Sequence, residues 1–343
     1  LIKKDNPLPM SIGRVCPHPC EEKCRRKHLE GAVSICALKR FSAEANVDYI
    51  PECKANNGKK IAVIGAGPAG LSCAYFLAIE GYQVEIFEAE EKGGGMLRYG
   101  IPAYRLPKDI LDKEIENIEK MGVKISYNKK LGRDFTIEAL KSSFDAVFVA
   151  IGAWTASGLR CEGEDAQGVE GGIDVLYRVA KGEKVDLGDN VCVVGGGNTA
   201  IDAVRTAVRL GAKNVTLVYR RTEKEMPAEP DEIFDAKAEG VNFRFLAAPI
   251  RVLSENGKAT GLEIQNMELG EPDESGRRQP VAIEGSTDII KCDTVISAIG
   301  QRVSSSCIDS VELTKKSTIS VNEKTYMTSV DGVFAAGDVI NKG

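Results

Sequence analysis

Short apolar runs alternate along this chain with longer stretches whose apolar residues recur at helical spacing. The first run is Lys59-Lys60-Ile61-Ala62-Val63-Ile64. A Gly-rich turn follows, then a helical stretch to Glu80, which Gly81 stops. Val84-Glu85-Ile86-Phe87 reads as the next strand. Between Asp109 and Met121, the residues Ile110, Leu111, Ile115, Ile118 and Met121 share one helical face, and Ala146-Val147-Phe148-Val149-Ala150 is another buried strand. The scheme then repeats, with a strand at Asn190-Val191-Cys192-Val193-Val194, a second Gly-rich turn, a helix to Leu210 and a strand at Val215-Thr216-Leu217-Val218-Tyr219. The segments from Thr294 to Gly300 and from Gly332 to Asp338 each read as a buried strand ending in Gly. Before all this, the N-terminal stretch is Pro-rich and then helical from Ser34 to Ala45, and Asn56-Asn57-Gly58 reads as a linker turn. Glu271 to Gln279, with Pro272 and Gly276, reads as a flexible loop. Strands alternating with helices predict an α/β chain with parallel sheets.

The two turns carry the chemistry. The first, Gly65-Ala66-Gly67-Pro68-Ala69-Gly70, is a complete G-x-G-x-x-G. Gly65 permits the tight turn, Gly67 lets backbone approach a pyrophosphate, and Gly70 lets helix pack on strand. Pro68 and Ala69 open a helix whose free N–H groups suit phosphate. Glu88 ends the next strand, where a carboxylate accepts hydrogen bonds from ribose hydroxyls. The second turn, Gly195-Gly196-Gly197-Asn198-Thr199-Ala200, is a G-x-G-x-x-A variant. At the place of the acid this site has Tyr219-Arg220-Arg221. An acid repels a 2′-phosphate, whereas Arg220 and Arg221 can bind one, so this site is expected to prefer NADPH to NADH. A solvated surface pair is the plainer reading of the two arginines. Two dinucleotide folds imply two cofactors, most simply FAD in the first and NADPH in the second. Hydride transfer between their rings needs close approach and no side-chain acid or base, so no catalytic residue is nominated. Asp202 is assigned no role.

Composition narrows the class. With 343 residues the chain is long enough for two or three cores, and 43% hydrophobic with 28% charged residues fits a globular protein. A net charge of -5 argues against non-specific nucleic-acid binding. No apolar run reaches the roughly 18 residues of a membrane span. There is no signal-peptide pattern, and a start at Leu1 leads us to expect residues upstream. The ten cysteines, without a secretion signal, read as a reducing cytoplasm. No C-x-x-C occurs, which argues against a flavin that reduces a neighbouring disulfide. Trp154 reads as packing.

Cys16, Cys20 and Cys24 are spaced C-x3-C-x3-C, with Cys36 close behind. Thiolates are the ligands of iron–sulfur clusters. Zinc with His18 or His28, no metal at all, or a buried apolar role for Cys36 are the competing readings. Arg25-Arg26-Lys27 is either a solvated face or a dock for an acidic ferredoxin-type partner.

Taken in order, these residues resemble the small (beta) subunit of glutamate synthase and its relatives, among them the NADPH-reading half of dihydropyrimidine dehydrogenase and the large subunit of NADH-dependent ferredoxin:NADP oxidoreductase. The landmarks are Gly13-Arg14-Val15-Cys16-Pro17 with Cys20 and Cys24, Ala37-Leu38-Lys39-Arg40-Phe41, the first turn, Gly95-Met96-Leu97-Arg98-Tyr99-Gly100-Ile101-Pro102, Arg105-Leu106-Pro107, the second turn, Tyr219-Arg220-Arg221 with Met226-Pro227, and Ala336-Gly337-Asp338. The resemblance implies two Rossmann-like nucleotide-binding domains, with the FAD domain (56–155 and 288–343) split around the NADPH domain (156–287), after a partial helical iron–sulfur domain (1–55). It implies that Gly95, Leu97, Arg98, Ile101, Arg105, Gly152 and Gly300 help to bind the cofactors, and that Gly337 and Asp338 close the flavin site on the ribityl chain. It implies that Cys16, Cys20 and Cys24 give part of the ligand set for [4Fe–4S] clusters, with a non-cysteine ligand at or near Lys39. It also implies a further helix after Asp338.

The expected function is therefore a flavoprotein subunit passing hydride from NADPH to FAD, and electrons through clusters to a larger catalytic subunit or a ferredoxin-type acceptor. Rivals are the same architecture in an electron-bifurcating transhydrogenase, hydrogenase or formate dehydrogenase complex, and a nucleotide-bound structural subunit without turnover. A homo-oligomer is left open.

Overall fold

A computed structural model describes residues 1–272 and 276–340. The strands in chain order are β1 (Lys60–Ile64), β2 (Gln83–Phe87), β3 (Lys124–Ser126), β4 (Ala146–Val149), β5 (Thr155–Ala156), β6 (Val169–Gly171), β7 (Asn190–Val194), β8 (Asn214–Tyr219), β9 (Asn242–Phe245), β10 (Ala247–Glu255), β11 (Lys258–Pro272), β12 (Arg278–Lys291), β13 (Thr294–Ser297), β14 (Gln301–Arg302) and β15 (Val333–Ala335). They fall in two compact units, Leu1–Ala153 with Val303–Gly343, and Trp154–Arg302.

The first unit is built on a five-stranded parallel sheet ordered β15-β4-β1-β2-β3. Its central strands β1 and β4 are apolar on both faces, as a parallel sheet covered on both sides requires. Val63, Val84 and Ile86 pack with Leu71, Ala74 and Ala78 of the helix Pro68–Ile79 and with Leu111, Ile115 and Ile118 of the helix Lys108–Lys120. Ala62, Ile64, Val147 and Val149 face the other way, onto Ile137, Leu140, Ile308 and Ile319. Each fully buried Val, Leu or Ile side chain among them is worth about 1.5–3 kcal/mol. The N-terminal helices belong to this same unit rather than forming a body of their own. Leu8 is buried in the first core, and the Glu114 carboxylate accepts from the backbone N–H of Met10 (2.6 Å) and Ser11 (3.0 Å) at the start of the helix Pro9–Val15.

The second unit repeats the plan with a five-stranded parallel sheet ordered β6-β13-β7-β8-β9. Ile201, Val204 and Ala207 of the helix Asn198–Arg209 cover one face. On the other, Cys192, Val194 and Val218 pack on Val252, Leu262 and Ile264 of an antiparallel sheet, β10-β11-β12.

Two expectations are corrected. The chain does not return to the first unit at 288, because β13 is hydrogen-bonded between β6 and β7, which holds everything to Arg302 in the second unit. The expected loop from Glu271 to Gln279 is flanked by β11 and β12, which extend to Pro272 and from Arg278, while its centre lies outside the described residues. Trp154 does pack, edge-on to Tyr177 with ring centroids 6.0 Å apart.

Candidate nucleotide sites

The first Gly turn joins β1 to the helix Pro68–Ile79 at the carboxyl end of the sheet. Gly65 has φ +101°, a conformation that only glycine adopts freely. A Cβ on Gly70 would lie 1.9 Å from the Gly65 carbonyl oxygen, so the helix can start here only with glycine. The Gly93–Gly95 segment crosses the turn: Gly94 N donates to Ala66 O (2.7 Å), and a Cβ on Gly95 would fall 2.7 Å from Gly67 Cα. Backbone rather than side chain thus lines the ledge above Gly67. The Glu88 carboxylate lies beneath the turn, 7% exposed, and accepts from the N–H of Ala66 (2.6 Å) and Glu90 (2.9 Å). Burial raises its carboxyl above the usual range, and the two N–H groups oppose that shift. Gly337, with φ +81°, sets the turn after β15 beside Ala69, and Asp338 is exposed.

These features form a cradle that fits FAD: open backbone at a helix N-terminus for a pyrophosphate, and a carboxylate held at the end of β2 for a ribose. Of the other expected residues, Leu97 is core, Ile101 packs against it, and Arg98 is buried, with its guanidinium on the Gly93 carbonyl and on Asp112. Arg98 therefore braces the Gly93–Gly95 ledge. Arg105 is half-buried after the turn Pro102–Arg105. Gly152, at φ +72°, follows β4. A cavity of about 710 Å³ in this unit extends toward Lys59 and Ala146 at the opposite strand ends and does not include the Gly turn.

The second turn joins β7 to the helix Asn198–Arg209. Ala200 is accommodated where the first turn needs glycine. The segment after β8 folds back across this turn, with Ala228 N on Gly196 O (3.2 Å) and Glu229 N on the Asn198 carbonyl oxygen Oδ1 (3.0 Å). Asn198 thus holds a lid of backbone. Thr199 is half-buried beside it. The Tyr219 ring lies where a Cβ on Gly196 would be, at 2.4 Å, and its hydroxyl donates to Glu225 O (2.8 Å). A capping box between Thr222 and Glu225 fixes the short helix Glu223–Glu225, and with it the turn that carries the arginines. The two arginines differ. Arg220 is exposed at the mouth, whereas Arg221 is 4% exposed and its Nε donates to Arg278 O (2.7 Å). Gly300, at φ +132° after β13, is exposed and its carbonyl accepts from Ser157 N (2.9 Å).

In the N-terminal segment, Cys16 Sγ accepts from His18 N at 3.4 Å, Cys20 is exposed, and the backbone N–H groups of Val33, Arg26 and Lys27 point at Cys24 and lower its thiol pKa. Burial raises the Cys36 thiol. Among the described residues, no three His, Cys, Asp or Glu side chains converge as a metal would need. The donor set is nonetheless thiol-rich, which suits iron–sulfur chemistry. Arg25–His28 is a short exposed 3-10 helix, in which Arg26 pairs with Glu30.

Sequence reading missed two buried acids. Asp202 is 3% exposed on the helix behind the second turn. Glu114 is 1% exposed and lies between Leu111, Ile115 and Ile118 on the buried stripe of its helix. A carboxylate at an apolar-stripe position was the available signal.

Comparison with known proteins agrees with this geometry. Residues 59–343 match the pyridine nucleotide-disulphide oxidoreductase family, and residues 1–49 match dihydropyrimidine dehydrogenase domain II, 4Fe-4S cluster. The chain is 45% identical to the NADPH-Fe(3+) oxidoreductase subunit beta of Geobacter sulfurreducens, over 98% of this chain and 55% of the relative. It is 44% identical to the NADP(+)-dependent formate dehydrogenase subunit beta of Moorella thermoacetica, over 99% and 52%. It thus spans about half the length of those two curated relatives. It is 37% identical to the glutamate synthase [NADPH] small chain of Escherichia coli, over 99% and 77%. Among solved structures, Mycobacterium tuberculosis FprA in complex with NADPH has the same fold, with TM-score 0.70 and 20% identity over 82% of this chain and 79% of that one. Lactococcus lactis thioredoxin reductase follows the same fold, with TM-score 0.61 and 19% identity over 83% and 91%. Among the described residues no helix is long and apolar enough to cross a membrane. Two parallel sheets, each with a Gly turn at its carboxyl edge, and an N-terminal segment of the 4Fe-4S type place this chain in the pyridine nucleotide-disulphide oxidoreductase family, with the fold of FAD- and NAD(P)H-dependent oxidoreductases.

Proposed function

We propose that this chain is the electron-input flavoprotein of a larger assembly, taking hydride from NADPH onto FAD and passing electrons through iron–sulfur clusters to a partner. The observation that carries the reading is the contrast between the two turns, a buried carboxylate under one and an exposed guanidinium at the mouth of the other. Bound FAD supplies a hydride acceptor that can release electrons one at a time. The residues of the chain bind and orient. Gly67 and the residues after Pro68 in the first turn of the helix offer N–H groups to the FAD pyrophosphate, Gly65 shapes the turn with its own N–H on the Phe87 carbonyl, and Glu88 takes the ribose hydroxyls. The Gly93–Gly95 ledge, braced by Arg98, lines the flavin with backbone. Gly337 and Asp338 close the ribityl side.

In the second unit, Gly195, Gly197 and the Asn198 helix start take the NADPH pyrophosphate. Arg220 takes the 2′-phosphate, and Arg221, held by the Arg278 carbonyl, braces the strand end and adds positive potential. No side chain is asked to move a proton at the reacting carbon, since hydride passes directly between rings.

Three relatives named above carry NADPH or NADP(+) in their names, and all three are named as subunits or small chains. This supports the choice of nucleotide and a larger catalytic partner or ferredoxin-type acceptor, and a cytoplasmic setting is consistent with free thiols. The test is anaerobic addition of one equivalent of NADPH to the FAD-loaded chain. Bleaching of the flavin band, recovered on adding a one-electron acceptor dye, is expected. A flavin that stays oxidised would sink the reading.

A further inference from the structure

We propose that Glu114 is a positioning residue for the flavin: it locks the N-terminal segment onto the helix Lys108–Lys120, and that helix in turn holds the Gly93–Gly95 ledge. The inference rests on FAD lying at the first turn and goes beyond that reading by coupling the flavin site to the N-terminal segment.

The helix Lys108–Lys120 is held at two places close together along its axis. Toward the ledge, Lys108 Nζ donates to the carbonyls of Leu97 (2.8 Å) and Ile101 (2.6 Å), which follow Gly95 in the chain. One turn later Asp112 pairs with Arg98, whose guanidinium also donates to the Gly93 carbonyl. A Cβ on Gly94 would fall 2.6 Å from Leu111 Cδ2, so the ledge lies against the helix at a distance that glycine allows.

Glu114 comes two residues after Asp112, about 3 Å further along the axis. Its Oε1 accepts from Met10 N (2.6 Å) and its Oε2 from Ser11 N (3.0 Å). Asn117, one turn on, donates from Nδ2 to the Val47 carbonyl (2.6 Å). The helix thus ties both ends of the segment 10–47 to the element that carries the ledge.

A carboxylate suits this contact because each oxygen takes one N–H. A glutamine has one carbonyl oxygen and turns its NH2 group toward the second N–H, so two donors face each other. The apolar contacts run the same way: Leu8, Leu97, Leu111, Ile115 and Ile118 belong to one core. Such a core is close-packed and transmits strain, so a shift of the helix on one side reaches the ledge on the other. Tyr75 Oη separately donates to the Lys3 carbonyl (2.6 Å), which gives the segment a second tether when Glu114 is changed. Coupling of this kind is reciprocal, so bound flavin also tightens the N-terminal segment.

The experiment compares the unsubstituted chain, Glu114→Gln, Lys108→Met and the double variant. Amide hydrogen exchange is followed before and after FAD loading, and the flavin Kd is measured by fluorescence titration. The helix Ile137–Lys141, which packs on the opposite face of the sheet, reports stabilisation of the unit as a whole. In the unsubstituted chain, FAD is expected to slow the amides of residues 10–15 at least about 5-fold more than those of that helix. Glu114→Gln should abolish this difference and speed the same amides about 10- to 100-fold, as loss of a buried hydrogen-bond partner does. It should also raise the flavin Kd about 5-fold. In the Lys108→Met background the same change should raise Kd by a smaller factor, because the hold on the ledge is already loosened.

FAD that binds but slows both segments equally would overturn the inference alone and leave the proposed function standing. The same factor in Kd with and without Lys108→Met would assign Glu114 to stability only, and would also overturn it. A chain that binds no FAD in the titration sinks the inference and the flavin reading together. If a variant does not fold, the exchange of the unsubstituted chain with and without FAD decides.

Discussion

The two nucleotide units are variations on one plan. Each has a central strand that ends in a Gly turn, a helix behind it, a second strand that carries the polar group, and a later segment laid back across the turn. They differ in how close the helix comes and in the sign of the charge. In the first unit the third glycine is obligatory and the charge is a largely buried carboxylate at the turn. In the second unit Ala200 suffices, and the exposed charge is the guanidinium of Arg220. A buried acid with two backbone donors makes a rigid site for a cofactor that stays. An exposed cation attracts a charged ligand that comes and goes. On the proposed reading, one unit holds a resident group and the other a substrate.

Substitutions at the turns can break this contrast most sharply. Gly70→Ala adds a methyl against the Gly65 carbonyl, and overpacking of this kind costs about 1–3 kcal/mol or more. It is expected to lower the melting temperature and abolish flavin retention, read by calorimetry and by flavin per chain. Gly197→Ala, where the nearest atom to a new Cβ is Pro227 Cγ at 4.0 Å, should leave melting unchanged and raise only the NADPH concentration needed for half-maximal reduction. Equal losses in the two variants would contradict the comparison. Next in size is Glu88→Ala, which leaves the N–H groups of Ala66 and Glu90 without their acceptor. Loss of such a partner costs about 1–3 kcal/mol, so the flavin Kd should rise about 10- to 100-fold. Fluorescence recovery of released flavin measures it.

Arg220→Ala should cut the NADPH-over-NADH ratio of kcat/KM by about 10-fold, near the low end for a charge-assisted bond because the site is exposed. The smallest effect concerns Glu114, whose carboxyl is raised by burial. A raised carboxyl adds stability that is complete below the unfolded pKa, about 4.3, and is lost as pH rises through the folded value. Glu114→Gln should flatten that part of the stability–pH curve, read from denaturant midpoints between acid and neutral pH.

Much of this was legible in the sequence because glycine and charge are local signals. The places of Gly65, Gly70, Glu88 and Arg220 in the fold could be read from spacing alone, since a strand, a turn and a helix fix where they lie. The long antiparallel β11 and β12 were not read, although Leu262 and Ile264 alternate with Glu263 and Gln265, because polar residues on the exposed face dilute the apolar signal. The domain return after β13 was misplaced because pairing between β13 and β7 joins residues far apart in sequence. The split between Arg220 and Arg221 was also illegible, because the Arg278 carbonyl that accepts from buried Arg221 comes from β12, far along the chain. Glu114 went unread, and Asp202 read as ordinary helix polarity, because a single acid in a helix usually faces water.

The most direct test of the central claim is a stopped-flow measurement of flavin bleaching in the FAD-loaded chain, anaerobically, with NADPH and with NADH at matched concentrations. The account predicts that NADPH reduces the flavin faster and that Arg220→Ala removes most of the difference. Equal rates with both nucleotides, unchanged by Arg220→Ala, would contradict it.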